Sequence, residues 1–137
     1  MKVKFTRSII MCLLFLACNN RIDLRYNEVA TIAILKSIRE GQKIYKSNNP
    51  GKYATLQDLL NLKLIEGQFQ NGAAYGYQYD LQLAGNGYKV FVTPVRFGEH
   101  GTGHFSFYLD ETGVIRAAPN EGRPVGAEAF PIPKNSD

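Results

Sequence analysis

Glu99, His100 and His104 lie within six residues of one another, in the run EHGTGH. Imidazole and carboxylate are ligand types that zinc accepts, but zinc needs three or four of them held in a fixed relation. Two histidines four apart share a face only on a helix, and Gly101 and Gly103 disfavour a helix here. They are therefore expected to be solvated loop histidines, with no metal site and no cofactor. Ser106, His104 and Asp110 supply the residue types of a hydrolytic relay, yet no Gly-x-Ser-x-Gly elbow is present to present the serine. The GNG at 85–87 and the GTG at 101–103 belong to a hairpin turn and a loop, not to a phosphate-binding fingerprint. No catalytic residue is assigned, and the chain reads as non-enzymatic.

Tyr75, Tyr77 and Tyr79 alternate along the chain, and Tyr88 follows on what reads as the return strand. Exposed together, the four would form an aromatic ligand face for a glycan or a peptide. Aromatics at period two more commonly pack one face of a sheet, and helix-facing packing is the expectation here.

Cys18 offers a different chemistry. It follows a basic stretch, MKVKFTR, and about ten apolar residues, SIIMCLLFLA, too few for a membrane helix, which needs ~20. This is the pattern of an export signal. Phe15-Leu16-Ala17-Cys18 resembles the lipobox of bacterial lipoproteins at Ala17 and Cys18, and departs from it at Phe15 and Leu16. The resemblance implies cleavage between Ala17 and Cys18, acylation of Cys18, and attachment to a membrane of the bacterial cell envelope. Asn19 in place of Asp fits an outer-membrane destination. Several acyl chains hold firmly where one is marginal, since each buried methylene contributes ~0.8 kcal/mol.

The formal charge of +4 does not indicate nucleic acid as a partner. Lys2, Lys4 and Arg7 precede the apolar run, and without these three of the sixteen basic residues, thirteen face twelve acidic ones. Both cysteines, Cys12 and Cys18, lie in the first eighteen residues, so the rest of the chain has no disulfide and no thiolate zinc site. With 137 residues the chain suffices for one domain.

After a polar tether at 18–24, Ala30, Ile34, Ile38, Gly41 and Tyr45 recur at three- and four-residue spacing, which predicts a helix from Arg25 to about Ser47. Lys36, Arg39, Lys43 and Lys46 lie toward its C-terminal end, where the helix dipole favours cations. A second, shorter helix is predicted over Thr55–Leu64, opened by a Thr55/Asp58 capping pattern and closed before Gly67. The period then changes to two. Strands are predicted over 75–83, 88–94, 104–109 and 114–118, with an Asn86-Gly87 hairpin turn and a DETG turn at 110–113. The tail from 119 to 137, rich in Pro, Gly and Ala, reads as irregular. The expected fold is α+β: both helices on a four-stranded antiparallel sheet, within a domain spanning 25–118 behind a signal peptide at 1–17.

NEVATIAILKSIREGQKIYKS, YGYQYDLQLAGNGYKVFVTPV and GTGHFSFYLDETGVIRAA, in that order, resemble the globular part of bacterial type IV pilin-like proteins, over roughly residues 26–132. The prepilin-peptidase site is lacking, because Phe5-Thr6 has no preceding Gly and no following Glu at the family's spacing. Filament assembly is therefore not implied. What the resemblance implies is a pilin-like fold serving a structural or protein-interaction role, here with a protein partner and a membrane held through Cys18. The alternative is a small envelope lipoprotein that binds a glycan or an inhibited enzyme through its sheet face or the 95–103 loop.

Overall fold

The computed structural model describes residues 6–133, with side chains from Arg25 onward. Helix α1 (Thr6–Asn48) is followed by a short α2 (Leu56–Asn61) and six strands: β1 (Ala73–Ala74), β2 (Tyr77–Ala84), β3 (Gly87–Pro94), β4 (Phe105–Asp110), β5 (Arg116–Pro119) and β6 (Phe130–Pro131). All six form one antiparallel sheet in chain order. The architecture is α+β, as expected, but the sheet has six strands and not four.

Helix α1 begins nineteen positions before the predicted start at Arg25 and takes in the predicted tether. No Pro or Gly lies between Cys18 and Arg25, and a polar pair such as Asn19-Asn20 costs a helix only tenths of a kcal/mol, roughly. Ala17 and Cys18 lie outside the residues whose side chains are described, as do the expected cleavage and acylation. Among the described residues, no helix is long and apolar enough to cross a membrane.

From Thr31 onward α1 buries Thr31, Ile34, Leu35, Ile38, Gly41 and Gln42. Ile34, Ile38 and Gly41 are the centre of the predicted stripe; its ends, Ala30 and Tyr45, are only half-buried, and Thr31, Leu35 and Gln42 widen it. Gly41 sits where α2 approaches, with Leu59 and Leu64 only 3.3 Å from where a β-carbon would stand. The predicted capping box holds: the Thr55 hydroxyl accepts from the Asp58 amide at 3.1 Å, and the Asp58 carboxylate accepts from the Thr55 amide at 3.0 Å. Helix α2 nonetheless stops short of Leu64. Lys63 takes a positive φ of 54°, and the amides of Lys63 and Leu64 return to the carbonyls of Leu60 and Leu59, a Schellman closure.

Two hairpin turns correct the predicted register. Tyr75 and Gly76 both have positive φ and form the two-residue turn between β1 and β2, so Tyr75 is not in the strand. Between β2 and β3 the turn is Gly85-Asn86, with Ala84 paired to Gly87. Gly85, with φ 54°, supplies the positive φ at the first central position, and Gly87 is already strand.

Tyr77, Tyr79, Tyr88, Val90, Val92, Phe107 and Leu109 line the face of the sheet that packs with α1 in the main core. Residues 120–129 of the tail are turn and loop, yet the segment is packed on the sheet. The tail's β6 pairs with β5, and Val125 and Ala129 pack on Tyr108, Phe91 and Ala118 across the second face. Composition concealed this, because two-residue pairing and two small apolar plugs carry no periodic signal.

Candidate functional site

The structure does not bring Tyr75, Tyr77, Tyr79 and Tyr88 to one exposed face. Tyr77 is fully buried and Tyr79 and Tyr88 nearly so, whereas Tyr75 is 40% exposed in its turn. Tyr77 donates to the Phe105 carbonyl at 3.0 Å and meets Phe107 edge-on, while Tyr79 packs on Phe69 and Tyr88 on Tyr53. Burial raises the hydroxyl pKa of Tyr77, Tyr79 and Tyr88 well above the ordinary value. The three form the helix-facing core.

The histidine loop is tied down by hydrogen bonds of its backbone and of the Thr102 hydroxyl. Thr102 is its hub. Its amide donates to the Arg96 carbonyl at 2.7 Å, its hydroxyl donates to the Gly76 carbonyl, and its own carbonyl accepts from Asn27 of α1 at 3.0 Å. The His104 amide donates to Glu28 at 2.9 Å, with the ring Nδ1 3.9 Å from the same oxygen. Among the described residues, no three His, Cys, Asp or Glu side chains form a group that could hold a metal ion. Ser106 is buried, and its hydroxyl has no hydrogen-bond partner among the described residues, so neither His104 nor Asp110 engages it. Asp110 instead accepts from the amide and hydroxyl of Thr112.

One concavity is a cleft of about 980 Å³ between the C-terminal half of α1 and the segments 111–116 and 131–133. Lys36, Arg39, Lys43 and Lys46 line its helical wall. Ile32, Val114 and Ile132 give it apolar surface, Arg116 adds a cation across from the helix, and Glu111 is the one carboxylate in the lining among the described residues. Arg39 donates to the Gly113 carbonyl at 3.2 Å, which fixes the opposite wall to the helix. Arg39 and Lys43 both lie 3.0 Å from Glu40, and hydrogen bonds from Lys43 and then Arg39 hold that carboxyl below the usual range. Lys46 bonds the Tyr53 hydroxyl at 3.0 Å, with its ammonium 4.9 Å from the ring centre. The cleft can hold an anion beside apolar surface. In the sequence the four cations read as dipole partners, and their spacing at 36, 39, 43 and 46 also places them on one face. A smaller hollow on the other side of α1 lies beside Tyr26 and Tyr75, whose rings meet edge-on at 6.2 Å.

No protein-family model, no curated protein and no solved structure matches this chain.

Proposed function

We propose that this chain is an exported, lipid-anchored protein of the bacterial cell envelope, with a pilin-like α+β domain that serves as a structural or protein-interaction module and not as an enzyme. The supporting observation is the continuity of α1. One helix runs from Cys18 into the buried stripe that packs with the sheet. A lipid on Cys18 would thus be coupled to the domain through helical backbone. Tyr26, Tyr75, Val95, Phe97 and Phe105 are exposed, and the contacts of Asn27 and Glu28 place the 95–105 loop at the end where α1 reaches the sheet. Apolar and aromatic side chains at that end suit a surface close to a membrane or a partner.

The alternative, a ligand-binding lipoprotein, loses the tyrosine face and retains the loop with its exposed Val95 and Phe97. The deciding measurement is the intact mass of the protein purified from its native membranes, beside a Cys18→Ser variant. The expected product begins at Cys18 and carries acyl chains, and the variant carries none. A mature chain that starts at Asn19 or later, or one that retains residues 1–17, overturns the anchor. Co-purification of a defined protein with the wild type would support the interaction role.

A further inference from the structure

We infer that the cleft beside α1 is a binding site for an extended, acidic segment of a partner protein in which carboxylates alternate with apolar side chains. The inference deepens the reading of this domain as an interaction module and rests on it, but it does not depend on the anchor.

Length comes first. From Arg39 to Lys46 the helix advances seven residues, about 10 Å, which is the reach of roughly three residues of extended chain. The cations recur at three- and four-residue steps and so share the helix face that borders the cleft. An extended peptide places successive side chains on opposite sides. Its carboxylates can therefore meet the row of cations while the intervening side chains meet Val114 and Ile132, which are partly buried on the opposing segments.

Charge comes second. Lys43 is two-thirds exposed, at 66%, and the Glu40 it shares with Arg39 is itself exposed, at 53%. A ligand carboxylate can thus join this network without a buried pair having to break. Nucleic acid fits the site less well. Across from the helix Val114, Ile115 and Ile132 are apolar, Arg116 already donates to the Ala129 carbonyl, Glu111 would face the phosphates, and the Tyr53 ring that could stack on a base is already under Lys46.

The test is fluorescence anisotropy with the full chain in detergent. The probe is a labelled peptide of alternating glutamate and valine; the comparators are a pure glutamate peptide and an oligothymidylate of equal charge. The alternating peptide should bind tightest, and added salt should weaken it. The double variant Lys43→Gln/Lys46→Gln should bind it about tenfold more weakly, the size expected for two partly exposed charge pairs. Lys89→Gln, on the second face of the sheet, should change nothing. Each variant is used only with its wild-type melting temperature verified. Absence of binding, equal affinity of the double variant, or tighter binding of the oligothymidylate overturns the assignment. A chain without lipid on Cys18 that binds the peptide overturns the anchor alone. A lipid-bearing chain that does not bind it overturns the cleft alone.

Discussion

The side-chain amide of Gln42 forms a two-way pair with the backbone of Ala54: Nε2 donates to the carbonyl at 2.7 Å and Oε1 accepts from the amide at 2.8 Å. Both residues are buried. The pair imitates one rung of a sheet and fastens α1 to the segment that leads into α2. Replacement by Leu would fill the space but leave an amide and a carbonyl buried without partners. Gln42→Leu should therefore cost about 2–4 kcal/mol, read from the urea midpoint. Gln42→Glu should be worse at neutral pH and partly recover below about pH 5, where a protonated carboxyl can both donate and accept. A variant whose penalty does not change with pH would contradict the pairing.

Gly103 should tolerate no side chain. A β-carbon there would stand 1.7 Å from the Tyr77 hydroxyl and 2.3 Å from the ring carbon that bears it. Gly103→Ala should lower stability by about 3 kcal/mol or more, because the loop or the buried ring must shift. Adding Tyr77→Phe removes only the nearer atom, so recovery should be partial. Gly51→Ala has open space around it and only its φ of 76° against it, so it should cost about 1 kcal/mol. Thermal melts of the three variants test this order.

Stability should fall on the alkaline side. Burial raises the hydroxyl pKa of Tyr77, Tyr79 and Tyr88, and pushes that of Tyr108 up to about 12. In the unfolded chain these hydroxyls titrate near pH 10, roughly. Between the two values the folded state binds more protons, so the stabilisation is fully present below the unfolded value and lost as pH rises through the folded ones. Tyrosinate absorbance of these residues should rise together with the loss of folded circular dichroism, not before it. Tyr79→Phe should flatten the alkaline slope. Its hydroxyl lies by Thr31 in the core, where neither hydroxyl has a hydrogen-bond partner among the described residues.

The C-terminal segment should be part of the folded unit. Val125→Asp would put a charge into the small cluster with Tyr108 and Ala129, and should cost about 2–4 kcal/mol. Phe130→Ser, at a side chain 78% exposed, should move the urea midpoint little. Equal effects would mean that the segment does not cover the sheet.

The sequence by itself determined those features whose signal is local. The 3.6-residue spacing of Ile34, Ile38 and Gly41 specified the packed face of α1, and period-two alternation specified that Tyr77, Tyr79 and Tyr88 share a side. The capping box at Thr55 was legible because both of its bonds lie within four residues. Tertiary structure decided what depends on chain segments far apart in sequence. Thr31 and Gln42 look like surface residues until Tyr79 and Ala54 are brought over them. The turn at Gly85-Asn86, in place of Asn86-Gly87, goes with the pairing of Ala84 with Gly87; moving the turn by one residue shifts the pairing by two and leaves the same side chains facing the core, so alternation alone does not choose between the two. Val125 and β6 have no periodicity to reveal them. They are ordered because β5 and Tyr108 offer an open strand edge and an apolar surface. The basic cleft divides the same way. Its helical wall is written in the spacing of Lys36, Arg39, Lys43 and Lys46, but it becomes a cleft only where 111–116 and 131–133 fold back opposite them. A spacing rule reports which side chains share one helix face, and burial or enclosure depends on what long-range packing places against it.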